Sequence, residues 1–126
     1  MPYKLQGLHV LVVEDEYVIA QMIADILEQA GCVVIGPAPA LHSARELIGR
    51  TRIDSGLLDI NLNGEMVFPL AEQLEQLKVP FVFITGYGSI SFPERFRDCP
   101  SVAKPFTSDR LLRVLTTTIS MAAPNC

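Results

Sequence analysis

Apolar residues in this chain come in two kinds of block. Short continuous runs alternate with longer stretches in which apolar positions recur at helical spacing. Residues 8–13 (LHVLVV) form a short apolar run rich in β-branched valine, as in a strand buried on both faces. Val18, Ile19, Met22, Ile23, Ile26 and Leu27 then mark one face of an amphipathic helix that Gly31 stops. Residues 32–35 read as a second strand, ended by Gly36-Pro37. Leu41, Ala44, Leu47 and Ile48 predict a second helix, with His42, Arg45, Glu46 and Arg50 outward.

Residues 56–60 read as a third strand, followed by the turn-rich loop Asn61-Leu62-Asn63-Gly64. A third helix is expected over 66–77, with Pro69 tolerable in its first turn. Residues 80–85 (PFVFIT) and 102–103 read as the fourth and fifth strands. A last helix carries Leu111, Leu112, Val114, Leu115 and Ile119, with Thr107 or Ser108 as its cap. The alternation predicts a parallel sheet covered on both faces. Between the fourth and fifth strands, GYGSISFPERFRDCPS has room for one short helix, near 93–97, and is expected to be the most mobile segment.

With 126 residues, 49% of them hydrophobic, and a mean hydropathy of +0.32, the chain suits one globular domain. It reads as a single domain over 1–126, with a core over about 8–119 and a frayed tail from about Ser120. The net charge of −4 and pI near 5.0 argue against nucleic acid as a direct partner. Neither a membrane span nor a signal peptide is legible, so a cytoplasmic protein is expected. Cys32, Cys99 and Cys126 form no CxxC pair and are expected as free thiols.

The polar residues that interrupt the apolar runs fall at predicted strand ends, where open parallel sheets bind ligands. Glu14 and Asp15 follow the first strand, Asp59 ends the third, Thr85 closes the fourth and Lys104 closes the fifth. Singly, each has a plainer reading: an acidic run at a helix start, a cap, turn chemistry, a loop Lys-Pro. Together they define narrow chemistry. Crowded carboxylates need a cation, and a hard ion such as Mg2+ suits them. A metal, the Lys104 ammonium and the Thr85 hydroxyl could surround a phosphoryl group. Asp59, alone on the central strand, is the candidate nucleophile.

On these residues the chain resembles response-regulator receiver domains. The motifs are VVEDE (12–16), LLDINLNG (57–64), FITG (83–86) and AKPF (103–106), which span essentially the whole chain. The resemblance implies a flavodoxin-like (βα)5 doubly wound α/β fold, sheet order 2-1-3-4-5; on the chain's own reading, no output domain is expected. It implies that Asp59 is phosphorylated by a histidine kinase or phosphotransfer protein, and that a downstream protein partner reads the result. It implies Mg2+ held by Asp15, Asp59 and the Asn61 carbonyl, with Glu14 acting through water. Thr85 and Lys104 would meet the phosphoryl group, and the Lys104-Pro105 peptide would be cis.

Two features depart from most receivers. Ser101 occupies the place of the usual switch aromatic, and the fourth helix is shortened or mobile. With PFVFITGYG (80–88), these features resemble the FATGUY-type receivers of alphaproteobacteria, although Ile84 replaces that motif's alanine. Such receivers often work with HWE or HisKA2 kinases. Metal and phosphate at Asp59 would then order the loop around Tyr87 through Thr85. Two other functions stand beside the phosphoacceptor. One is a pseudo-receiver that binds partners without phosphorylation. The other is a haloacid-dehalogenase-like phosphatase, which would need an acid where Asn61 stands. A receiver is expected to be no enzyme beyond its own phosphorylation and dephosphorylation.

Overall fold

The computed structural model describes residues 4–86 and 92–121. In chain order the elements are β1 (His9–Val13), α1 (Tyr17–Gln29), β2 (Val33–Ala38), α2 (Leu41–Arg50) and β3 (Ser55–Asp59). There follow β4 (Asn61–Leu62), β5 (Glu65–Met66), α3 (Phe68–Gln76), β6 (Phe81–Thr85), a 3-10 turn (Glu94–Phe96), β7 (Ser101–Ala103) and α4 (Ser108–Met121). The main sheet is parallel, ordered β2-β1-β3-β6-β7. This is the expected 2-1-3-4-5 order; the fourth and fifth sheet strands carry later labels because a small hairpin, β4–β5, intervenes.

Period-two alternation along each strand divides the interior into two cores. Val10, Val12, Leu57, Val82 and Ile84 face the helices bearing Ile23, Leu27, Leu111 and Leu115. Leu11, Val13, Leu58, Phe81 and Phe83 face Ala44, Leu70, Leu74 and Phe96. Helices therefore cover both faces, which is why the strands read as continuous apolar runs. Gly31, at φ +89, follows the end of α1 as expected. Thr107 is the cap of α4: its Oγ1 accepts the Arg110 N–H at 3.1 Å.

Several boundaries differ from the sequence reading. β2 runs through Gly36-Pro37 to Ala38, so this pair does not end the strand. Residues at 66–67 are not helical: Met66 belongs to β5, and α3 begins at Phe68 with Pro69 in its first turn. The core begins before residue 8, because Leu5 is fully buried against the face that holds Cys32. α4 continues through Ser120 and Met121; the rest of the tail expected to fray lies outside the described residues. Cys32 is free and buried, as expected, whereas Cys99 is disulfide-bonded and so departs from the free-thiol expectation. Cys126 lies outside the described residues.

Between β6 and β7 the described residues hold the 3-10 turn and no α-helix, in line with a shortened fourth helix. The turn is anchored. Phe96 stacks on Phe68 at 5.7 Å and meets Phe83 edge-on at 5.7 Å. Phe92 meets Phe83 at 5.5 Å. Arg95 pairs with Glu72 at 3.2 Å and with Glu75, and its guanidinium lies 4.9 Å from the Phe96 ring centre. Tyr87 and the rest of 87–91, on which the expectation of mobility and ordering centres, lie outside the described residues.

Candidate functional site

Strand register brings the polar residues to one level. Val13 pairs with Leu58, so Glu14 and Asp59 follow side by side at the carboxyl ends of β1 and β3. Asp59 pairs with Ile84 and Thr85 with Ala103, so Lys104 follows one step beyond Thr85. The Lys104 N–H donates to the Thr85 carbonyl at 2.8 Å, which ties these strand ends together. The Lys104-Pro105 peptide is cis, as the family resemblance implies.

Lys104 Nζ is surrounded by carboxylates. Glu16 Oε1 lies at 3.0 Å, Glu14 Oε1 at 3.1 Å and Asp59 Oδ2 at 3.7 Å. Glu14 and Asp59 are 2% and 5% exposed. Glu14 Oε1 is ion-paired with the ammonium at 3.1 Å but is otherwise a buried oxygen without a hydrogen-bond donor. Glu14, Asp15 and Asp59 can each turn one oxygen toward a common point, all three within 4.8 Å of one another.

The electrostatics follow from this crowding. Burial pushes the Asp59 carboxyl up to about 8; the hydrogen bond and charge of Glu14 add to this, and Lys104 opposes it. For Lys104, burial disfavours the charge, but Glu16, Glu14 and Asp59 outweigh it and hold the ammonium above its ordinary value. A hard divalent cation fits this donor set. The ligands are all oxygen, one of them is buried without a hydrogen bond, and an excess of negative charge awaits compensation.

Asp59, Asp15, Glu16, Asn61, Asn63, Gly64, Gly86 and Lys104 line a cleft of about 410 Å3. Asn61 is thus at the site; its side-chain Oδ1 is engaged by the Gly64 N–H at 2.7 Å. Thr85 stands at the end of β6 beside the site, but Gly86 rather than Thr85 lines the cleft. Two features escaped the sequence reading. The β4–β5 hairpin forms the cleft's rim, and its Asn63-Gly64 turn, with φ of 56° and 96°, is a signal the sequence carried. Glu16 read only as part of an acidic run, yet it makes the hydrogen bond to Lys104.

Residues 10–116 match the family model described as "Response regulator receiver domain". The sensory transduction protein LytT of Bacillus cereus is 32% identical over 112 residues, which cover 86% of this chain and 46% of LytT. The transcriptional regulatory protein PdtaR of Mycobacterium tuberculosis is 26% identical over 115 residues, covering 88% and 56%. The chain therefore spans about half the length of the curated relatives it matches. The solution structure of SdrG from Sphingomonas melonis superposes with a TM-score of 0.79 at 37% identity, covering 92% of this chain and 97% of SdrG. NtrX from Brucella abortus gives a TM-score of 0.78 at 27% identity, covering 93% of this chain and 27% of NtrX. No helix among the described residues is long and apolar enough to cross a membrane.

Proposed function

Because the chain belongs to the response regulator receiver family, we propose that it is a phosphoacceptor switch in two-component signalling, with Asp59 as the acceptor. The observation that carries this reading is the juxtaposition of a buried Asp59 with Glu14, Asp15 and Lys104 at the mouth of an open cleft. An Asp59 oxygen attacks the phosphorus of a phosphohistidine, carried by a histidine kinase or phosphotransfer protein. A new P–O bond forms, the P–N bond breaks, and the imidazole leaves with the electron pair.

Mg2+, held by Asp15, Asp59 and the Asn61 main chain with Glu14 behind, would neutralise charge on the phosphoryl oxygens. Lys104 supplies a second positive group to the same oxygens, already within 3.7 Å of the acceptor. Thr85, at the end of β6, would offer its hydroxyl to a phosphoryl oxygen. The chain turns over only its own phosphoryl group, so it acts as a switch rather than an enzyme on external substrates. Its signal passes to a downstream protein.

The finer assignment is to the FATGUY type, with an HWE or HisKA2 kinase as donor. PFVFITGYG at 80–88, Ser101 in place of an aromatic and the 3-10 turn in place of a helix support it.

Incubation with Mg2+ and acetyl phosphate, followed by intact-mass measurement, tests the proposal. A gain of one phosphoryl group, lost in Asp59→Asn, is expected. No gain with any donor would point instead to a phosphorylation-independent binding module. Multiple turnover of an external phosphoester would point to a phosphatase.

A further inference from the structure

Glu16 is the one carboxylate around Lys104 that the acceptor reaction does not call for. It sits at the N-cap position of α1, with extended backbone at φ −83° and ψ 112°, where a side chain ordinarily caps its own helix. Its carboxylate makes no cap. It reaches instead to Lys104 Nζ, 88 residues away, and accepts a hydrogen bond at 3.0 Å. The Glu16 N–H meanwhile donates to Glu14 Oε2 at 3.1 Å, which fixes the backbone from which the side chain reaches. The two ends of the pair differ in setting: the Lys104 side chain is 9% exposed and that of Glu16 62%. Glu16 also lines the cleft that an incoming group must enter.

We infer that Glu16 is a positioning residue: it holds Lys104 in the resting state and competes with an entering phosphoryl oxygen for the ammonium. The inference rests on the acceptor reading above. Lys104 lies nearer to Glu16 than to Asp59, by 3.0 against 3.7 Å. An oxyanion on Asp59 can recruit the ammonium fully only by displacing Glu16, and the displaced carboxylate then faces the oxyanion across the cleft. Both effects work against the occupied state. Because Glu16 is largely exposed, both are modest and screened by salt. Exchanging the carboxylate for an amide of the same shape removes the charge that holds Lys104, leaving at most a neutral acceptor.

The test compares wild type, Glu16→Gln and Glu16→Asp in Mg2+, titrated with beryllofluoride and followed by fluorine NMR. The Lys104 Cε resonance is recorded without ligand. Glu16→Gln is expected to bind beryllofluoride about two- to fivefold more tightly at low ionic strength, with the difference shrinking as salt is raised. Glu16→Asp keeps the charge and is expected to fall near wild type. The Lys104 Cε resonance is expected to move in Glu16→Gln, which a purely structural role would not produce. Equal or weaker binding by Glu16→Gln, or an unmoved Lys104 resonance, would overturn the inference. A wild type that binds no beryllofluoride would overturn the acceptor reading itself, and the competition with it, whatever the Lys104 resonance does.

Discussion

The Lys104 ammonium stands 3.7 Å from Asp59 Oδ2, although their strands, β7 and β3, are separated in the sheet by β6. A long side chain bridges the intervening strand end and partly balances a buried acidic group. The balance is incomplete, because Glu14 and Asp15 crowd the same point. Asp59→Asn removes the carboxyl whose ionised form burial and Glu14 disfavour. We expect the metal-free variant to be about 1 kcal/mol more stable than wild type, equivalent to about 4 °C in Tm. Thermal melts with and without Mg2+ check this, and the variant should lose most of the Mg2+-induced rise.

The pH dependence has a definite sign. Folding raises the Asp59 carboxyl to about 8, chiefly through burial and then through Glu14. A carboxyl raised on folding favours the folded state while it carries its proton, and that contribution is lost as pH rises through about 8. Metal-free protein should therefore lose stability between about pH 4 and pH 8, and Asp59→Asn should lose less. Mg2+ takes the place of the proton, so its affinity should rise over the same range and its binding should release protons. Calorimetry in buffers of different ionisation enthalpy measures that release.

Two glycines with left-handed backbone should respond differently to alanine. At Gly36, φ +102, a Cβ would meet Ala38 N at 2.7 Å and Val12 O at 2.9 Å, both unyielding main-chain atoms. At Gly64, φ +96, nothing lies within 4 Å. Gly64→Ala should cost about 1 kcal/mol from backbone strain alone. Gly36→Ala should cost roughly twice that or more, because the backbone must also shift. Urea denaturation of the two variants gives the ordering.

The 3-10 turn at Glu94–Phe96 is held by packing more than by charge. Phe96 is 1% exposed, among Phe68, Phe81 and Phe83. Phe96→Ala should cost about 3 kcal/mol or more. Arg95→Ala removes exposed ion pairs to Glu72 and Glu75 and a contact over the Phe96 ring, and should cost about 1 kcal/mol or less. Double substitution reports how far the two act together.

The strand ends were legible in the sequence because a charged residue directly after a buried apolar run has few places to go. Asp59, Glu14 and Lys104 were placed correctly on that ground. What resisted reading was geometry carried by distant partners. Glu16 looked like ordinary helix-start charge, since its partner Lys104 lies 88 residues away. Gly36-Pro37 looked like a strand end, yet β2 passes through it and resumes pairing at Ala38 with Val13. Leu5 was set outside the core because no apolar periodicity leads up to it. The β4–β5 hairpin was within reach: Asn63-Gly64 is a favoured hairpin turn, but its two-residue strands are too short to show a pattern.

The central claim is that one carboxylate, Asp59, becomes an acyl phosphate. Borohydride reduces an acyl phosphate at aspartate to homoserine and leaves phosphoserine, phosphothreonine and free carboxylates unchanged. Protein phosphorylated by acetyl phosphate in Mg2+, reduced in this way and mapped by peptide mass spectrometry, should carry homoserine at position 59 alone. Phosphorylated protein with aspartate intact at position 59, or with homoserine at Asp15 instead, would contradict the account.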